Sequence, residues 1–212
     1  MKAIQYFLIF FLFFQAPNYS QNKNKNKSPS VLDHNQSFNG FFDFTYSHKK
    51  DLIYLTVKEL DKEFLYVNSL SQGMGNNDIG LDRGQLGSER VVFFSKSGNK
   101  LMLIQPNLRY RSTSKNPLEQ RSVKEAFAKS VLFGFPIIEK TKEGYLIDLT
   151  PFLMSDAHGV SKRLEALNEG SFSIDKSRSA VSLERTKAFP KNIELDIMLT
   201  FVGNPTGNLV HS

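Results

Sequence analysis

The sequence predicts an α+β fold, predominantly antiparallel β-sheet in several hairpins, with two helices. Three observations predict it. Apolar residues alternate with polar ones in short runs bounded by turn residues, the period-two pattern of half-buried strands. These runs fall mostly in adjacent pairs; a parallel sheet would need a helix between each strand and the next. Only two stretches carry apolar residues at helical spacing, one behind a capping Asn116 and one starting at Asp156.

The chain opens with Met1-Lys2 and an apolar run to Phe14 interrupted by Gln5, the charged and hydrophobic regions of a secretory signal. The run is shorter than the roughly 20 apolar residues of a bilayer span. Residues 1–20 therefore read as a signal peptide, cleaved after Ser20 in preference to Ala16, which Pro17 follows; 21–37, with their Asn-Lys repeats, read as a polar disordered linker. Residues 38–70 form a short N-terminal β module, and 71–203 the main α+β domain of the same compact unit. Residues 204–212 are an end with little to bury. This is an exported chain, periplasmic or extracellular, with no transmembrane segment once mature. It has no cysteine, so its core must carry stability without a disulfide framework.

The formal charge of +6 does not point to nucleic acid. Four of the 27 basic side chains (Lys2, Lys23, Lys25, Lys27) and none of the 21 acids lie in residues 1–30, leaving 23 against 21 in the rest. A nucleic-acid binder concentrates positive charge on its folded part.

Phe42, Phe44 and Tyr46 alternate, residues 47–51 are a polar turn, and Ile53, Leu55 and Val57 alternate again: a hairpin. Residues 64–70 make a third strand. Residues 91–94 and 101–104 form a second hairpin around Ser97-Gly98-Asn99. Asn116-Pro117-Leu118-Glu119 starts a helix, with Val123, Ala126, Phe127 and Val131 as its stripe and Gly134 and Pro136 as its end. Residues 137–138 and 145–149 pair as a third hairpin. A second helix starts at Asp156, buries Val160, Leu164 and Leu167, and stops at Gly170. Residues 193–202 alternate most cleanly of all and read as one long strand.

Between the third strand and the second hairpin lies the stretch 70–90, with five glycines (Gly73, Gly75, Gly80, Gly84, Gly87). Loops this long in compact domains are functional or disordered. Ile79, Leu81 and Leu86 are spaced as anchors, which favours order. Neither nucleotide fingerprint fits: Asp78 stands where a dinucleotide loop needs its third glycine, and Leu81-Asp82 stands where a P-loop needs Lys-Ser or Lys-Thr. Asn76, Asp78 and Asp82 are oxygen donors, but no EF-hand register puts a glycine at its sixth place. The plainer expectation is a structural network in which Asp78, Asp82, Arg83, Glu89 and Arg90 pair with one another and with loop amides. Arg109 and Arg111, flanking Tyr110, could bind a carboxylate or pair with those loop acids, and the second is preferred. His158, near Asp156 in the first turn of a helix, reads as a capping or surface histidine more readily than a catalytic one. No HExxH and no nucleophile elbow occurs.

Asn77-Asp78-Ile79-Gly80-Leu81-Asp82-Arg83-Gly84-Gln85-Leu86-Gly87 resembles the signature of an uncharacterised domain of secreted bacterial proteins, where it precedes a zinc metalloprotease domain of metzincin type. Similar motifs follow in the same order: Gln105-Pro106-Asn107-Leu108-Arg109-Tyr110-Arg111, Ser130-Val131-Leu132-Phe133-Gly134-Phe135-Pro136, Asp156-Ala157-His158-Gly159-Val160, Ser177-Arg178-Ser179-Ala180-Val181 and Arg185-Thr186-Lys187-Ala188-Phe189-Pro190. Residues 40–70 are similar to the short module that precedes this domain. The resemblance spans 38–203 and implies a non-catalytic, N-terminal accessory domain of an exported zinc-dependent metallopeptidase.

The family's HExxHxxGxxH motif would follow this region and is not in the chain, which reads as a truncated product or fragment. The resemblance therefore implies no catalytic or metal residue here, zinc only in the missing catalytic domain, a peptidase domain in cis as partner, and a peptide as substrate. The candidate functional or structural residues are Asp78, Asp82, Arg83, Glu89, Asn107, Arg109, Arg111, Asp156, His158 and Arg185. One rival is a free-standing hydrolase using Asp78, Asp82 or Glu89 as acid and base. Another is a surface- or ligand-binding module, weakened for sugars by the lack of tryptophan.

Overall fold

The computed structural model describes residues 35–210, all within one compact unit. The signal peptide and nearly all of the linker lie outside the described residues. In chain order the elements are β1 (Gln36–Phe38), β2 (Asp43–Ser47), β3 (Leu52–Val57), β4 (Phe64–Tyr66), β5 (Arg90–Ser97), β6 (Lys100–Gln105), α1 (Pro117–Ala126), β7 (Ser130–Lys140) and β8 (Tyr145–Asp148). There follow α2 (Thr150–Leu153), α3 (Val160–Ala166), β9 (Gly170–Ile174), β10 (Ala180–Ala188), β11 (Ile193–Met198) and β12 (Phe201–Pro205). The first eight strands form one antiparallel sheet in the order β1-β2-β3-β8-β7-β6-β5-β4.

That order requires a curl. Strands β3 and β4 are joined by residues 58–63 alone, yet stand five places apart, about 24 Å across a flat sheet at roughly 4.8 Å per strand. The sheet instead wraps until the Phe42 ring, at the start of β2, lies 5.0 Å from Phe64 and 6.1 Å from Phe94. Register shifts between Leu103 and Ile104 and between Ile137 and Glu139 mark bulges along β6–β7 and β7–β8. Bulges bend strands and add twist, which is what wrapping needs.

Alternation decides what the curl encloses. Phe44, Ile53, Leu55, Val57, Val92, Phe94, Leu101, Leu103, Phe135 and Ile147 form the main core. The hairpin of β10 and β11 packs Val181, Leu183, Ile193 and Leu195 against it. A hydrogen bond from Phe41 N to Phe189 O (2.8 Å) ties that hairpin to the turn before β2. Where the β10–β11 register shifts, buried Thr186 accepts from Asp196 N (3.1 Å) and donates to Ser182 O (2.7 Å).

A smaller second core joins Ile79 and Leu81 of the glycine-rich loop to Val160 and Leu164 of α3. Phe172 of β9, Phe201 of β12, and Leu209 and Val210 pack around them.

Several expectations need correction. The first helix ends at Ala126; Val131 and Gly134 belong to β7, because Val131-Leu132-Phe133 pairs with Leu103 and Ile104 of β6 and the proline falls opposite the end of that strand, at Lys100. The run 193–202 is two strands. It breaks at Thr200, whose N–H donates to Ser179 Oγ (3.0 Å) and whose hydroxyl donates to Arg178 O (2.6 Å), so β11 pairs with β10 and β12 with β9. The described residues hold three helices, α2 being the addition. Residues 36–37, expected in the linker, belong to β1. The stretch 204–210 also contributes more than expected: residues 204–205 extend β12, and Leu209 and Val210 join the second core.

Candidate functional site

Two regions leave the sheet and return to it between paired residues. The first is the glycine-rich loop, closed by a bridge between Ser69 and Leu86. Its backbone satisfies itself: Leu70 N donates to Gln85 O (3.0 Å), Gly84 N to Leu70 O (2.8 Å) and Met74 N to Leu81 O (3.1 Å). A 3-10 turn over Asn77–Ile79 is capped by the Asn76 side chain and ends at Gly80, whose φ of 68° is a left-handed geometry that glycine adopts without strain. Turn and cap together aim Ile79 and Leu81 inward, 1% and 4% exposed.

Helix α3 meets them because Asp156 builds its start. The sequence reading starts this helix at Asp156 with His158 in its first turn, but α3 begins at Val160 behind Gly159. Asp156 and His158 lie in the preceding turn, and the two carboxylate oxygens of Asp156 accept from Val160 N and Ser161 N, each at 2.8 Å. The same turn presents His158 to the loop. Asn68 Nδ2 donates to His158 Nδ1 (3.0 Å), and His158 Nε2–H donates to Gln85 Oε1 (3.3 Å), so one neutral tautomer satisfies both contacts. From the next turn Arg163 donates through Nε to Ile79 O at 2.6 Å. Between loop and helix lies an open cleft of about 600 Å³, lined in part by Gln85, Ser88, His158 and Arg163.

The expected ionic network is absent. Asp78, Asp82, Arg83 and Glu89 are exposed, and none makes an ion pair among the described residues. Neighbours in sequence with opposite charge, such as Asp82 and Arg83, do not face one another in a loop held by backbone bonds. Nor do Arg109 and Arg111 reach the loop acids. Asn107 folds an Asx-type turn, its Oδ1 accepting from Arg109 N (3.1 Å) and Tyr110 N (3.2 Å). Arg111 donates to Leu108 O (3.1 Å), and Arg109 lies over the Tyr110 ring at 5.4 Å. Arg185 pairs instead with Asp196 across β10–β11 at 3.0 Å. Asp156 and His158 are thus the two candidates brought together at the loop.

Those arginines belong to the second region, residues 106–129, inserted between the paired Gln105 and Ser130 of β6 and β7. It carries six basic side chains (Arg109, Arg111, Lys115, Arg121, Lys124, Lys129) against Glu119 and Glu125. Its helix α1 starts as the sequence demands, with Asn116 Oδ1 accepting from Leu118 N (3.0 Å) and Pro117 next, yet it buries no residue. Phe127 stacks on Tyr110 at 4.0 Å, both partly open to solvent, and Leu118 is 73% exposed.

Sequence reasoning missed three residues that matter here. Asn68 and Arg163 carry no motif, and their partners lie 90 and 84 positions away. Glu169, in what reads as a surface turn, is 4% exposed and accepts from Leu209 N (2.9 Å) and Val210 N (3.1 Å) through one oxygen, pinning the chain end to the second core. No group of three or more acidic or histidine side chains able to hold a metal ion occurs among the described residues.

The fold is thus a curled antiparallel sheet with a covering hairpin, a loop-and-helix subcore and an inserted basic arm. The chain belongs to the family described as Domain of unknown function (DUF5117), which matches residues 84–211. That agrees with the uncharacterised domain its motifs suggest. No curated protein and no solved structure matches the chain.

Proposed function

We propose that this chain is a non-catalytic accessory domain of an exported zinc-dependent metallopeptidase, and that it docks in cis against the peptidase domain through residues 106–129. Zinc and the hydrolytic groups belong to that other domain; this chain supplies a binding surface. The observation that carries the reading is the arm itself, a capped helix that buries nothing, beside a solvent-open Tyr110–Phe127 stack and an excess of four positive charges. Tyrosine and arginine are the residue types that dominate interface energetics, and a basic surface selects an acidic partner face. The motif resemblance supplies the identity of that partner. The chemistry-bearing side chains are arranged consistently with this: Asp78, Asp82 and Glu89 are solvent-facing and make no ion pair among the described residues, and both ring nitrogens of His158 are already engaged.

The test is to express the chain and the zinc peptidase domain encoded in the same gene as separate proteins and to follow binding by gel filtration and calorimetry. A complex that weakens with added salt, and weakens at least about tenfold in an Arg109→Ala/Phe127→Ala double variant, is expected. No complex at high concentration, and no change in peptidase rate or stability, would refute the reading.

A further inference from the structure

We propose that the cleft between the glycine-rich loop and the start of α3 binds a carboxylate group of a peptide chain, anchored by Arg163. This site is separate from the basic arm and does not depend on the docking reading.

The argument begins with how Arg163 is held. Its Nε is committed to Ile79 O at 2.6 Å, which fixes the plane of the guanidinium against the loop. The two Nη groups find no acceptor among the described residues, and Arg163 takes part in none of the ion pairs found there. A guanidinium fixed by one edge and open at the other presents the parallel donors that suit a carboxylate, at a geometry a flexible lysine would not hold.

The other lining groups have the same polarity. Gln85 uses its carbonyl oxygen for His158, leaving its amide nitrogen as a donor, and Ser88 offers a hydroxyl. No aspartate or glutamate lines the cleft. Side-chain donors therefore stand beside a cationic anchor with no carboxylate among the lining residues, the arrangement an anion satisfies.

The glycines make physical sense on the same terms. A side chain at Gly80 would place its Cβ 3.0 Å from an Arg163 Nη atom, against the very group left open, in a backbone geometry that disfavours side chains as well. At Gly87 a Cβ would fall 2.3 Å from the Asn68 amide nitrogen, displacing the residue that orients His158. Two of the loop's five glycines thus keep the cleft open and its walls aligned.

The cleft, about 600 Å³, is a shallow trough largely open to solvent. Leu86, which also lines it, is 62% exposed and offers apolar contact to a neighbouring side chain. An open trough with one ionic anchor and an apolar shoulder suits a segment of peptide better than an enclosed metabolite.

The carboxylate can come from a peptide C-terminus or from an acidic side chain, and three peptides separate these sources. They are acetyl-tetra-alanine with a free terminus, an amidated peptide of the same length with one glutamate, and an amidated peptide without an acid. Each is titrated into the full chain at constant ionic strength while the Arg163 Nε–H and the Gly80, Gly87 and Ser88 amides are followed by NMR, with inorganic phosphate as a fourth arm. Saturable shifts at these groups are expected with at least one acidic peptide and not with the neutral one.

Arg163→Gln should weaken binding at least about tenfold, the scale of one charge-assisted hydrogen bond. Arg163 also braces Ile79, so Gln85→Glu is the second variant. It leaves that brace in place, puts an acid in the cleft, and should weaken binding to a similar degree. The proposal is overturned if the neutral peptide shifts the same signals, if no acidic peptide saturates them, if both variants bind like the parent, or if phosphate saturates the site where carboxylates do not.

Discussion

The glycine-rich loop and the basic arm invert the usual relation between regularity and burial. The loop has one 3-10 turn of three residues, yet it drives Ile79 and Leu81 to near-zero exposure. The arm has a ten-residue α-helix with a capping asparagine and a proline in its first turn, yet no residue of that helix is buried. A cap and a proline satisfy the first amides of a helix locally, and need nothing from the rest of the protein. Burial is a two-body matter. Ile79 and Leu81 have Val160 and Leu164 to meet, whereas nothing among the described residues covers α1. A tidy helix is therefore no measure of what a segment contributes to stability.

Excising each region in turn tests this most severely, because both are closed by paired residues. Joining Gln105 to Ser130 through an Asn-Gly turn removes the arm and leaves a plain β6–β7 hairpin. That variant should melt cooperatively within a few degrees of the parent. Joining Ser69 to Leu86 in the same way removes Ile79 and Leu81 together. Large apolar truncations cost about 2–5 kcal/mol each, so the pair approaches the whole stability of a typical domain, roughly 5–15 kcal/mol. No cooperative transition, or a greatly lowered one, is expected. Equal tolerance of both excisions would break the comparison.

Single substitutions give the same contrast on a finer scale. Leu164 is 0% exposed at the centre of the second core, and Leu164→Ala should cost about 2–5 kcal/mol in urea unfolding. Phe127→Ala in the arm loses chiefly its stack on Tyr110, about 0.5–1.5 kcal/mol. Glu169→Ala falls between. It strands the Leu209 and Val210 amides at about 1–3 kcal/mol, and hydrogen exchange at those two amides should accelerate well before the sheet opens.

Much of the sheet was legible because its signals are local. The turn at Ser97-Gly98-Asn99 sets the β5–β6 register, with Gly98 at a φ of 56°, and the alternation of Phe44 and Tyr46 with Ile53 and Leu55 sets β2–β3. The start of α1 was legible for the same reason. What escaped depends on distant partners. Strand β10 has Glu184-Arg185-Thr186-Lys187 at its middle, too polar to read as a strand until its bulge and Thr186 are seen against β11. The break at Thr200 is set by Ser179 and Arg178, and the position of Arg163 by a carbonyl 84 residues away. Charge was the most misleading cue of all, since five ionisable residues crowded into one loop suggest a network whether or not their side chains face one another.

The smallest expected effect addresses that cue. Asp82 is exposed, makes no ion pair among the described residues, and contributes to the loop through its backbone, where its carbonyl accepts from Gln85 N at 3.2 Å. Alanine keeps that carbonyl. Asp82→Ala should therefore change stability by no more than about 0.5 kcal/mol, the ordinary range for a surface substitution. Breaking a buried ion pair would instead cost roughly 3–5 kcal/mol, the loss expected had Asp82 and Arg83 been partners inside the loop. Urea unfolding of the variant separates these outcomes easily. A loss near the larger value would mean that Asp82 holds the loop ionically, and the account of a loop fixed by backbone bonds and two apolar anchors would have to be given up.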